Sequence, residues 1–133
     1  MEARIIDPTE WDRREYFDHF AALDDPFFSV TVPTDVTRLY DRAKAQGDWF
    51  YVRYLHAILR AVNQIEEFRY RIDGEGHIVL FDRIHLSPTV GRPDGSFGFG
   101  RFDYDPDYET FRLSARRETD RVQAGCGLMK RSG

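Results

Sequence analysis

A chain of 133 residues with 41% hydrophobic and 32% charged side chains suits one globular domain around one core, and is too apolar for a disordered segment. The net charge of −4 argues against nucleic acid, because Arg112, Arg116, Arg117 and Arg121 are diluted by Glu109, Glu118 and Asp120. No apolar run reaches the length of a membrane span, no signal-peptide pattern opens the chain, and the one cysteine, Cys126, allows no internal disulfide; a cytoplasmic protein without a metal is expected.

In chain order, Arg4-Ile5-Ile6 reads as a short strand closed by Asp7-Pro8. Thr9, followed by Glu10 and Asp12, predicts the start of a helix with Trp11, Phe17, Phe20 and Leu23 on one face. Asp24-Asp25-Pro26 ends it. Phe27 to Val32 (FFSVTV) has the composition of a strand, stopped by Pro33. Thr34-Asp35 offers a second cap, and the helix to Gln46 places Val36, Leu39, Tyr40 and Ala43 together before Gly47 stops it. In the longest helix Phe50, Tyr54, Ala57, Ile58, Ala61, Val62 and Ile65 recur at spacings of three and four, and Val52, Leu55 and Leu59 widen that stripe.

Beyond it the period changes. Segments 68–73 and 77–81, joined by Gly74-Glu75-Gly76, predict a β-hairpin. Ile84 to Val90 reads as a strand broken by Pro88, and Ser96 to Tyr104 as a strand with Phe97 and Phe99 on one face and glycines on the other. Pro106 opens a last helix from Tyr108 to Gln123, ending at Gly125. The order predicts an α+β domain over residues 1–125, with helices on one sheet face, and a tail over 126–133 without an element of its own.

Motifs for catalysis are sparse. His19, His56, His77 and His85 lie in no recognisable motif; His56 on the long helix reads as structural and His77, after a glycine turn, as exposed. There is no nucleophile elbow and no phosphate-binding glycine loop, and Gly95, Gly98 and Gly100 have strand-like spacing. Aromatic residues make up 15% of the chain, which serves a core and also suits a pocket for a ring-bearing ligand. In WDRREYFDHF, Arg13 is either a solvated helix arginine bridging Glu10 or Asp18, or a group that holds something else.

Several blocks fall together in one order: Trp11, Arg13, Arg14, Glu15 and Phe17; Phe50-Tyr51, Asn63, Glu67, Phe68 and Arg69; Asp82, Ile84, Thr89 and Val90; then Phe97 to Tyr104 and Asp107 to Phe111. In these the chain resembles the N-terminal part of the chloramphenicol acetyltransferase family. The resemblance implies a two-layer α/β sandwich of the CoA-dependent acyltransferase type, assembling as a trimer with active sites between subunits. It implies acetyl transfer from acetyl-CoA, as co-substrate, to a hydroxyl of an aromatic antibiotic.

The family's base is a histidine of a His-His-x-x-x-Asp-Gly motif, and no histidine of this chain is followed by Asp-Gly at that spacing. No catalytic residue is therefore assigned, and the chain alone is expected to be inactive. The resemblance places His19, Phe20, Phe28, Phe97 and Phe99 in the acceptor wall, with His19 and Phe99 departing from the family's usual aromatic and small residue. Arg13 matches the arginine that braces the motif's aspartate, so here it should be unpaired or differently paired. Expected partners are a small aromatic alcohol and either further copies or a missing C-terminal half. The alternative is a non-catalytic ligand-binding or regulatory relative that pairs with an intact enzyme.

Overall fold

The structure, a computed structural model, describes residues 2–128. Strand β1 (Ala3–Ile5) and strand β2 (Tyr70–Ile72) flank strand β3 (Ile78–Phe81) in an antiparallel sheet of order β1-β3-β2. The β2–β3 hairpin closes as expected: Asp73 Oδ1 accepts the N–H groups of Glu75 and His77, and Gly76 takes φ +87°, a conformation that glycine adopts without strain. Strands β4 (Thr89–Gly91) and β5 (Phe97–Phe99) form a second antiparallel pair with Val90 opposite Gly98. A bridge between Leu86 and Phe102 extends it, so of the strand expected over 84–90 only its end joins a ladder.

Four helices complete the described fold: α1 (Arg14–Ala21), α2 (Thr37–Ala45), α3 (Phe50–Gln64) and α4 (Tyr108–Ala124), with a 3-10 turn (Glu66–Arg69) after α3. Helix α1 starts later than Thr9, because the Thr9 hydroxyl and N–H both bind Asp7 Oδ1, at 2.7 and 2.8 Å. These bonds fix a local turn that competes with helix initiation. Asp107, rather than Pro106, caps α4 by accepting the Thr110 N–H at 2.9 Å.

The core corrects the stripe expected on α3. Val52, Leu55 and Leu59 are buried there, whereas Ala57, Ile58 and Ala61 are exposed. A helix that is apolar on most of its circumference lets the opposite surface choose the face. Here that surface is Phe102, Tyr104, Phe111 and Ala115, with Phe102 and Phe111 fully buried. Each such phenylalanine contributes about 1.5–3 kcal/mol through burial. Phe50 and Tyr54, half-buried, form a smaller ring cluster with Tyr40 of α2.

The FFSVTV segment is corrected as well. Residues 25–36 carry no regular element, and Phe28 is 90% exposed. Strand-forming side chains become a strand only when a neighbour supplies the ladder, and none of the described residues does.

In β5 the expected alternation holds: Gly98 and Gly100 are buried, while Phe97 and Phe99 point outward. The reason is close approach to α4. A Cβ on Gly98 would lie 2.7 Å from Arg92 Nη2 and 2.8 Å from Val122 Cγ1. Of the expected tail, Leu128 O accepts the Phe99 N–H at 2.8 Å, so the chain at this point docks on β5. Residues 129–133 lie outside the described residues.

Candidate functional site

The five acceptor candidates sit on three elements. His19 and Phe20 close α1 with rings edge to face at 5.1 Å. Phe97 and Phe99 stand on β5 with centroids 5.9 Å apart. Phe28 lies in the segment between α1 and α2 that carries no regular element. The structure thus brings the five together in two pairs plus one isolated ring. All five are exposed.

Arg13, immediately before α1, donates from Nη2 to Glu67 Oε1 at 2.7 Å. Its partner is Glu67 rather than the Glu10 or Asp18 expected of a local helix pair, and Arg14 takes Asp18 instead.

The histidines separate by surroundings. His56 is buried, bonds the Asp105 carbonyl through Nε2 at 2.8 Å and packs among Tyr104, Tyr108 and Phe111. His77 is exposed, with Nδ1 3.0 Å from Asp73 Oδ2. His85 accepts the Tyr104 N–H on Nδ1 at 2.9 Å, and burial holds its pKa below the ordinary value. Only His19 shares a surface with acceptor candidates.

Sequence reasoning missed two features. The first is a buried polar node. Asp48 accepts from the Tyr108 hydroxyl and Arg53 Nε, each at 2.5 Å, and from the Trp49 N–H at 2.7 Å. The Arg53 guanidinium lies 4.0 Å from the Tyr108 ring centroid. The second is a cleft of about 230 Å³ lined by Trp49, Arg112 and Arg116, in which the Arg116 guanidinium lies over the Trp49 ring at 5.4 Å. Only the i, i+4 spacing of the two arginines was visible in advance. For a metal, Asp73, Glu75 and His77 bring ligand atoms within 4.8 Å of one another on the exposed hairpin turn.

The described residues form an α+β domain with outward-facing aromatics on α1, on β5 and on the segment between α1 and α2. Comparison with known proteins assigns its kind. A family model described as chloramphenicol acetyltransferase matches residues 1–132. A relative named chloramphenicol acetyltransferase from Vibrio anguillarum is 31% identical over 130 residues, covering 97% of this chain and 58% of the relative. One of the same name from Clostridium perfringens is also 31% identical, covering 87% of this chain and 55% of the relative. A solved structure named chloramphenicol acetyltransferase matches with a TM-score of 0.89 and 38% identity over 95% of this chain and 59% of that one. The chain belongs to the chloramphenicol acetyltransferase family. It spans little more than half the length of these relatives. Among the described residues no helix is long and apolar enough to cross a membrane.

Proposed function

We propose that this chain is the acceptor-side portion of an acetyl-CoA-dependent O-acetyltransferase of the antibiotic-resistance type, acting in the cytoplasm on a hydroxyl of chloramphenicol or a similar aromatic alcohol. The observation that supports it most is the family match across residues 1–132, together with exposed side chains at the positions that the resemblance assigns to the acceptor wall. His19, Phe20, Phe28, Phe97 and Phe99 would hold the ring and the apolar parts of the acceptor, burying surface on both partners.

Acyl transfer to a hydroxyl needs a base within hydrogen-bond reach of the attacking oxygen and donors for the oxyanion. His56 and His85 already spend a ring nitrogen on backbone groups, and no histidine precedes Asp-Gly at the family spacing. On this reading the base comes from polypeptide outside these residues, through self-association or through a C-terminal half. Arg13 would then exchange Glu67 for the incoming aspartate, whose planar carboxylate a guanidinium fits better than an ammonium does.

The test is thiol release from acetyl-CoA in the presence of chloramphenicol. The chain alone should be inactive, and should become active with the part of the Vibrio anguillarum relative that it does not match. Turnover by the isolated chain, freed of co-purifying enzyme, would overturn the missing-base reading. A second reading, a non-catalytic ligand-binding or regulatory relative, draws support from the same engaged histidines. Chloramphenicol binding without turnover in either mixture would decide for it.

A further inference from the structure

Beside the first strand lies a cleft of about 450 Å³, where β1, the turn before α1 and the start of β2 meet. It shares no lining residue with the five acceptor candidates. Trp11 and Tyr70 supply its rings, with centroids 5.5 Å apart and planes tilted by 55°. Rings so tilted do not stack on one another, and an aromatic face attracts cations and C–H surfaces.

The polar wall is acidic. Asp7, Glu10, Asp12 and Glu66 set four carboxylates against one cation, Arg4. The side chains of Glu10 and Asp12 make no hydrogen bond or ion pair among the described residues. Glu66 spends Oε1 on the Tyr70 hydroxyl at 2.7 Å. Asp7 stays ionised, because the Thr9 hydroxyl and N–H hold its pKa below 3.8. Carboxylates gathered around rings in a concave site suit a ligand that is positively charged.

One further group narrows the class. Trp11 Nε1 is shut off from solvent and comes near the Tyr70 oxygen without reaching hydrogen-bond geometry, so this donor lacks an acceptor among the described residues. A buried donor in that state costs stability until an acceptor arrives. A bare ammonium group has only protons to give, whereas a hydroxyl oxygen accepts.

We propose that this cleft binds a protonated amino sugar or aminocyclitol, a saturated ring that carries both ammonium and hydroxyl groups. Its ammonium groups pair with Glu10 and Asp12, a hydroxyl oxygen accepts the Trp11 N–H, and its C–H face rests on the rings. Binding involves no acyl transfer, so it stands or falls apart from the proposed activity.

The probe is 2-deoxystreptamine, compared with putrescine, which has two ammonium groups and no hydroxyl, and with myo-inositol, which has hydroxyls and no charge. The chain has two tryptophans, and Trp49→Phe leaves the Trp11 indole as the single N–H of its kind to follow by nitrogen-15 NMR. 2-Deoxystreptamine should shift that resonance and bind about tenfold or more tightly than either comparator. Glu10→Gln with Asp12→Asn alters two exposed side chains, so it should weaken binding by about tenfold while the melting temperature holds. Glu75→Gln, on the β2–β3 turn, should leave binding unchanged. Putrescine binding as tightly as 2-deoxystreptamine would reduce the cleft to an acidic patch and overturn the proposal. So would equal binding of myo-inositol, a Trp11 resonance unmoved at about 20 mM 2-deoxystreptamine, or full affinity in the doubly substituted variant.

Discussion

Arg13 Nη2 donates to Glu67 Oε1 at 2.7 Å, joining the residue before α1 to the 3-10 turn after α3 across 54 positions of sequence. Both side chains are about half exposed, at 55% and 52%. Water competes for such a pair, so it stabilises the chain by less than about 1 kcal/mol. A double-mutant cycle with Arg13→Ala and Glu67→Ala, read by urea unfolding, should return a coupling energy under that value. On the proposed reading, in which Arg13 exchanges Glu67 for an incoming aspartate, the same Arg13→Ala change should cost about tenfold or more in acetyl transfer by the completed enzyme. A loss in stability as large as the loss in activity would make the pair merely structural.

The Asp48 node carries more weight because it is better shielded. Burial opposes ionisation of Asp48, but the Tyr108 hydroxyl, the Trp49 N–H and Arg53 together hold its pKa below the ordinary 3.8. Burial and the adjacent carboxylate push the Tyr108 pKa up. Tyr108→Phe should cost roughly 1.5–3 kcal/mol, the range for a hydrogen bond to a charged acceptor. Asp48→Ala, which leaves Arg53 Nε and the Tyr108 hydroxyl without an acceptor while Arg53 Nη2 keeps Gln46 Oε1, should cost more, on the order of 3 kcal/mol. A lowered carboxylate pKa means stability that is present above the unfolded value and lost as pH falls. The gap between wild type and Tyr108→Phe should therefore shrink toward about pH 3 in urea titrations.

Local chemistry was legible in the sequence, and long-range choices were not. The β2–β3 hairpin was readable because Asp73, Gly74 and Gly76 specify its turn within five residues. The extent of α3 was readable from the apolar spacing between Phe50 and Ile65, but its buried face was not, since Leu55 and Ile58 look equally apolar until Phe111 stands opposite one of them. The FFSVTV run illustrates the same limit. Its residues favour a strand, yet strand formation is a property of two segments, and none of the described residues supplies the second. At the candidate site, pattern placed Phe97 and Phe99 on one face of a strand, and the structure shows that this face is exposed. The partner of Arg13 came from a turn more than fifty residues away that no periodicity announces.

Gly98 is held by its neighbours rather than by its backbone angles. A methyl group there would meet Arg92 Nη2 and Val122 Cγ1 well inside contact distance. Arg92 cannot move away freely, because its guanidinium donates to the carbonyls of Val122, Phe97 and Gly127 at 2.8, 2.9 and 2.9 Å. Gly98→Ala should therefore cost about 1–3 kcal/mol, as overpacking does. Gly91→Ala, one pair along the same ladder with nothing within 4 Å of the added carbon, should cost far less. Thermal melts of the two variants side by side check this, and equal losses would show that the α4 contact is looser than described.

His85 should make the fold sensitive to mild acid. Its Nδ1 accepts the Tyr104 N–H, so the proton of the neutral ring sits on Nε2. Protonation would place two donors face to face. Burial is the main cause that lowers its pKa; the Asp103 carboxylate, 3.5 Å away, works in the opposite direction, and Arg101 and Arg83 add to the lowering. A histidine whose folded pKa lies below the unfolded value takes up its proton more readily on unfolding. Its contribution is complete above the unfolded pKa near 6.5 and declines as pH falls below it toward the folded value. Urea unfolding at about pH 8 and pH 5 should show that decline. His85→Asn, whose side-chain oxygen can still accept the Tyr104 N–H, should flatten it while keeping most of the stability at the higher pH. An unchanged slope in that variant would transfer the acid sensitivity to another group and remove His85 from the account.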